Sequence, residues 1–228
     1  MAVTVDMKAL FEAGAHFGHK TSRWHPKMAQ YIHSKKGDTH IINLDRTVEN
    51  LEKALAFTTD LAKNGKKVLF VGTKKQLVGI VKAAAEAAEM PYVTNRWVGG
   101  TLTNVETVNK QIRKLKDLEK KMATGELESR YSKLEVQRFQ EEIDTLNERY
   151  GGIKEMSEQP AAVIVTDAIE DKNAIKEANR LRIPVIAICD TNVDPSGVTY
   201  VIPMNDDAAK AEELVLNYFV EAIKEGKK

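Results

Sequence analysis

Cysteine is almost missing from this chain of 228 residues, where Cys189 stands alone. A single thiol excludes a disulfide framework and a structural zinc site built on cysteines. Long apolar runs are missing as well, since nothing approaches the ~18 residues of a membrane span. The opening residues carry Asp6 and Glu12 without a basic-then-apolar pattern, so they do not read as a secretory leader, and the expected compartment is the cytoplasm. Net charge is missing too: 34 Lys+Arg against 33 Asp+Glu leave +1, far from the strong excess of a protein that coats nucleic acid with its whole surface. What is present is an ordinary globular composition, 43% apolar and 29% charged, in a chain long enough for one or two domains.

The balance of charge conceals a segregation. Residues 13–37 hold no acid, but they hold Lys20, Arg23, Lys27, Lys35 and Lys36, with Trp24 and Tyr31 interleaved. All five histidines fall in or just beyond this stretch: His16, His19, His25, His33 and His40. Residues 109–121 form a second basic block, with Lys110, Arg113, Lys114, Lys116, Lys120 and Lys121 against Asp117 and Glu119. Residues 126–148 lean acidic, as does the C-terminal segment with Asp206, Asp207, Glu212 and Glu213. A basic face and an acidic face are expected.

Apolar runs rich in β-formers alternate with segments of helical period. Residues 40–44, 67–71, 91–94, 161–165, 184–189 and 199–202 read as strands. Helices are expected over 47–62, from Gly72-Thr73 to about 88, over 173–181, and from about Asp206 to 223. Strands without alternation, separated by helices, predict a parallel sheet covered on both faces, a doubly wound α/β fold. Residues 105–150 break the rhythm, because Val105, Val108, Ile112, Leu115 and Met122 keep a 3-4 spacing. Leu127, Tyr131 and Leu134 resume it, and Phe139, Ile143, Leu146 and Tyr150 follow after a stutter. An antiparallel coiled-coil hairpin turning at Ala123-Thr124-Gly125 is expected, inserted after the third strand. The organisation is then a discontinuous globular domain, 1–104 with 151–228, and an inserted hairpin, 105–150.

An open parallel sheet places ligands beyond the carboxyl ends of its strands, which raises a nucleotide-binding α/β enzyme with a coiled-coil arm as one reading. Its support is thin. Gly72-Thr73-Lys74-Lys75 and Gly99-Gly100-Thr101 are glycine turns, yet neither has the GxGxxG or the P-loop pattern. Either could hold a phosphate on backbone N–H groups, including one that belongs to RNA. His16-x-x-His19 resembles half of a metal site, and Asp190, Asp194, Asp206 and Asp207 are the oxygen-rich positions available to complete it. Asp167 and Asp190 end strands, where a carboxylate caps or hydrogen-bonds more often than it catalyses. Cys189, inside Val185-Ile186-Ala187-Ile188-Cys189, reads as a small buried apolar residue.

Several blocks taken in order resemble the bacterial small-subunit (30S) ribosomal protein S-two family. They begin with Ala13-Gly14-Ala15-His16-Phe17-Gly18-His19 and Arg23-Trp24-His25-Pro26-Lys27-Met28. They continue with His40-Ile41-Ile42-Asn43-Leu44-Asp45-Arg46-Thr47-Val48, Val71-Gly72-Thr73-Lys74-Lys75 and Arg96-Trp97-Val98-Gly99-Gly100-Thr101-Leu102-Thr103-Asn104. Ile183-Pro184-Val185, Asp190-Thr191-Asn192-Val193-Asp194-Pro195 and Ile202-Pro203-Met204-Asn205-Asp206-Asp207-Ala208 complete the series. Ser22, His25 and Met204 depart from the residues associated with those signatures.

The resemblance implies a Rossmann-like (flavodoxin-like) domain with an inserted α-hairpin and a structural, non-enzymatic role in the small ribosomal subunit. The implied partners are 16S ribosomal RNA, at the back of the particle near the head–body junction, and neighbouring proteins, with the mRNA-binding ribosomal protein S-one among them. No membrane or small-molecule substrate is expected. The RNA contacts expected on these blocks are Lys20, Arg23, Trp24, Lys27, Lys35, Lys36, Lys74, Lys75, Arg96, Lys110, Arg113 and Lys114. No cofactor is expected apart from a structural divalent metal, which some members hold, with His19, Asp190 and Asp206 as its candidates here.

Overall fold

A computed structural model describes residues 4–228. A short helix, α1 (Met7–Glu12), leads into a three-stranded antiparallel sheet of β1 (Phe17–Lys20), β2 (Ile32–Lys36) and β3 (Thr39–Ile42), in the order β1-β3-β2. α2 (Leu44–Lys63) follows, capped by Asn43, whose side chain accepts the Asp45 N–H. The central sheet is β4 (Val68–Val71), β5 (Tyr92–Val93), β6 (Ala162–Val165), β7 (Val185–Cys189) and β8 (Tyr200–Pro203). All of its pairings are parallel and its order is β5-β4-β6-β7-β8, so strands run 2-1-3-4-5, the flavodoxin-like arrangement.

The uninterrupted apolar strands are buried on both faces, as a parallel sheet requires. Val68, Phe70, Ile164, Ile186 and Ile202 pack against α2, α3 (Val78–Ala88) and α8 (Ala209–Gly226), meeting Leu51, Val81, Val215 and Phe219. Leu69, Val71, Val163, Val165, Val185 and Ala187 point the other way. They join a cluster with Ile175 of α7 (Lys172–Arg180) and with the apolar stripe of two further helices, α4 (Val105–Ala123) and α6 (Lys133–Tyr150). α4 and α6 pack against one another through Ile112, Leu115, Ile143 and Leu146.

Three expectations need correction. The strand read at 40–44 is β3, and it belongs to the antiparallel sheet, because a hairpin at Gly37 (φ +61°) folds β2 onto it. The 105–150 segment therefore follows the second strand of the parallel sheet. Its second helix is also not continuous. α5 (Glu126–Arg130) stops where Tyr131 is extended, and α6 restarts from a capping box in which Ser132 and Glu135 bond reciprocally. That local signal, Ser-x-x-Glu, overrides the 3-4 spacing, and Tyr131 and Leu134 are left 45% and 60% exposed. Finally, Glu212 is no surface acid: it lies fully buried on the inner side of α8.

Candidate nucleic-acid interface and the acidic junction beneath it

The basic residues of the first block are held by the antiparallel sheet and the 3-10 turns that connect β1 to β2. Lys20 ends β1, Lys35 and Lys36 end β2, and Arg23 and Trp24 lie on the connection; all are exposed. The Trp24 ring leans on His40 of β3 at a centroid distance of 5.4 Å. The connection is anchored to the main sheet by the His25 N–H, which donates to the Thr191 carbonyl at 2.7 Å. Lys27 differs from its neighbours. Its ammonium contacts Asp194 at 3.1 Å and the Ser196 hydroxyl; hydrogen bonds to Asp194, led by those of Ser196 and joined by that of Lys27, lower its carboxyl below the ordinary range.

On α4, Lys110 and Arg113 project from the exposed side of the helix, while Lys114 is paired with Glu142 of α6. Lys116 and Lys121 are engaged with Glu155 and Asp117. Among the described residues, Lys20, Arg23, Lys35, Lys36, Lys75, Arg96, Lys110 and Arg113 have no ion-pair partner. These are among the cations left for something outside the chain; Lys133, Arg138 and Arg182, elsewhere on the surface, are also exposed without an ion pair.

Lys74 meets the opposite fate. It sits at the carboxyl end of β4, about four-fifths buried, with Asp207 at 2.7 Å, Asp206 at 3.2 Å and Asp167 at 3.3 Å. Its ammonium also donates to the Asp206 carbonyl at 2.9 Å. Burial alone would lower its pKa, but the bond to Asp207 and the charges of Asp206 and Asp167 outweigh it and raise the value. Expected as an RNA contact, Lys74 is instead the hub of an internal cluster. Adjacent Lys75 points to solvent. The carboxylates outnumber the cation: burial, with the charges of Asp167 and Asp190, holds Asp206 up to about 6. Burial pushes Glu212, whose carboxyl oxygens have no hydrogen-bond partner, well above its ordinary range.

His19 joins this cluster from the antiparallel sheet. Its Nδ1 lies 2.9 Å from Asp190 Oδ2, and its Nε2 faces Asp207 at 3.9 Å. The contact with Asp190, opposed by partial burial, raises the imidazole pKa. Of the expected metal candidates, Asp190 is not a free ligand, because it holds the ring from behind and accepts the His19 and Thr191 N–H groups. The donors that converge are His19, Asp206 and Asp207, within 4.8 Å of one another. An imidazole oriented by a carboxylate, plus two carboxylates, is a donor set that a divalent ion accepts. Lys74 competes with such an ion for both aspartates.

Neither glycine turn is open to a phosphate. The Thr73 N–H and hydroxyl both donate to Asp171, at 3.1 and 2.9 Å, and the Gly72 N–H donates to the Val93 carbonyl. Gly72 is required by packing, since a Cβ there would lie 2.6 Å from the Thr166 hydroxyl and from Val81. In the second turn Glu177 takes the anion's place. Its carboxylate accepts from the Gly100, Leu102 and Thr103 N–H groups and from the Trp97 indole at 2.8–3.2 Å. Burial would raise its pKa, but these bonds prevail and lower it. The Gly99-Gly100 turn thus cradles an internal carboxylate, while Arg96 beside it stays exposed. Asp171 and Glu177 had no signal in the sequence, because each reads as an ordinary helix-surface acid.

Known proteins share this sequence along most of its length. The family model described as Ribosomal protein S2 matches residues 10–226. The small ribosomal subunit protein uS2 of Fusobacterium nucleatum subsp. nucleatum is 45% identical over 222 residues, spanning 97% of this chain and 90% of that protein.

Proposed function

The chain belongs to the ribosomal protein S2 family, and from that premise we propose that it docks on 16S ribosomal RNA through its unpaired cations. The coarser role follows from the family itself: a structural constituent of the small ribosomal subunit, acting in translation, in a family that is not one of enzymes. The observation that carries the RNA reading is the division of its lysines and arginines. Lys20, Lys35 and Lys36 on the antiparallel sheet, Arg23 on the connection between its strands, and Lys110 and Arg113 on α4 face solvent without carboxylate partners. Contacts of this kind fix position on the phosphate backbone and carry no sequence code. Trp24, 39% exposed beside these cations, packs on a sugar or base.

The 105–150 segment acts as an arm whose basic helix follows the RNA. Its acidic side, with Glu128, Glu141, Asp144 and Glu148 exposed, faces protein neighbours, and the ribosomal protein S-one is the partner we assign to it. A structural dication, where present, is held by His19, Asp206 and Asp207 with Asp190 orienting the ring. It supplies a cross-link between the antiparallel sheet and the start of α8.

The test is binding of the full chain to a 16S transcript across a salt series. Replacing Lys110, Arg113 and Lys114 together by Ala should reduce the log–log salt slope by about 1.4–1.8, at ~0.7–0.9 for each phosphate no longer neutralised. Only two phosphates are counted because Lys114 is already paired with Glu142. An unchanged slope removes α4 from the RNA surface. A salt-independent affinity in the wild type removes the docking reading as a whole.

A further inference from the structure

The outer face of the antiparallel sheet carries more than charge. Residues directly opposed in an antiparallel pair share a face. Phe17 and Ser34 both oppose Ile41, while Lys20 and Lys36 both oppose Thr39. Phe17 and Lys20 are an odd number of residues apart, and would normally face opposite ways. A register shift between them inserts one extra residue into β1 and turns both to the same side. The face is therefore a row of Phe17, Ile41 and Ser34 beside a row of Lys20, Thr39 and Lys36. α1 adds a second aromatic, Phe11. The His16 ring lies between the two phenylalanines, 4.2 Å from Phe11 with planes 12° apart and 4.1 Å from Phe17. Phe11 is 57% and Phe17 46% exposed, so the stack ends in open rings.

We propose that Phe11, His16 and Phe17 form a stacking platform for an unpaired base of the RNA, with Lys20 and Lys36 on the flanking phosphates. The platform rests on the RNA-docking reading and adds the chemical group that the cations alone do not define. Bases splayed from loops and bulges stack on aromatic side chains, and any base has a π-face to offer. The two lysines of this face, Lys20 and Lys36, with Ser34 and Thr39 beside the apolar Ile41, match a phosphate-bearing chain better than an apolar protein segment. The nearest acid on α1, Glu12, is drawn toward Lys8. Partial burial and the charge of Lys36 lower the His16 pKa, against a backbone contact at Phe11, which keeps the ring neutral and free to stack flat.

The experiment compares the full-length wild type with Phe11→Leu/Phe17→Leu and with Phe17→Tyr, using a 16S transcript at fixed salt and then over a salt series. Leucine keeps the apolar volume and removes the π-face. The double variant should bind roughly tenfold more weakly, the worth of one stacked base, with an unchanged salt slope and unchanged thermal midpoint. Phe17→Tyr should bind like the wild type. Wild-type affinity in the double variant overturns the platform. That outcome with impaired subunit assembly would reassign the rings to a protein neighbour. If the wild type itself shows no salt-dependent affinity for the transcript, the docking reading has failed first and takes the platform with it.

Discussion

The antiparallel sheet of β1, β2 and β3 and the carboxyl end of the parallel sheet meet at His19, yet they dispose of their charges in opposite ways. On the antiparallel side Lys20, Lys35 and Lys36 stand exposed on strand ends without partners. On the parallel side Lys74 is enclosed by Asp167, Asp206 and Asp207, and even backbone N–H groups are taken by Asp171 and Glu177. The switch point of a doubly wound sheet is the usual ligand crevice. Here it is filled by the chain's own side chains, and the small added sheet offers the free surface. Fold alone points to a crevice that the chain's own side chains already fill.

Breaking the internal cluster should have the largest effect. Lys74→Met leaves three carboxylates and buried Glu212 without their cation, and a loss of about 3–5 kcal/mol in urea unfolding is expected. A loss below about 1 kcal/mol would mean that the acids are held by something other than Lys74. Glu177→Ala comes next, at about 2–3 kcal/mol, because it strands the Gly100, Leu102 and Thr103 N–H groups and the Trp97 indole. Since the carboxylate occupies an anion cradle, added sulfate should raise the thermal midpoint of that variant more than that of the wild type. Equal shifts would show that the cradle collapses when it is emptied.

The same enclosure sets a pH dependence. Burial holds Asp171 up to about 6 against an ordinary 3.8, and Glu212 is raised in the same sense. The folded state therefore binds protons where the unfolded carboxyls are ionised. That stabilisation is complete below pH about 4 and is lost as pH rises through about 6. Raised His19 acts in the same direction at higher pH. Unfolding free energy should rise by about 1–2 kcal/mol between pH 7 and 5, and Asp171→Asn should reduce the rise, Asp206 and Glu212 supplying the remainder. Stability that falls over this interval would contradict the arrangement. The smallest effect belongs to the free surface: Lys20→Ala/Lys36→Ala should move stability by no more than about 0.5 kcal/mol. A larger loss would place those lysines in the fold rather than at its service.

Much of this architecture was legible. Val68–Val71 and Val185–Cys189 are apolar without alternation, and only burial on both faces accommodates such strands. The acid-free stretch also stayed exposed where the segregation of charge placed it. Glu212 was legible in retrospect. It shares a helical face with Val215, Leu216 and Phe219, at spacings of three, four and seven, so period alone turns it inward. Lys74 was not: nothing local separates it from Lys75, and its partners Asp206 and Asp207 lie more than 130 residues away.

The apolar strands of the parallel sheet, the helical stretch over 105–150 and the existence of two basic blocks were written in the sequence, because periodicity and composition act over neighbours. Which lysines remain available was decided only by the tertiary structure. An ion pair depends on distance in space, and the turns after β4, β6 and β8 bring Lys74, Asp167 and Asp206 together only once the sheet has formed.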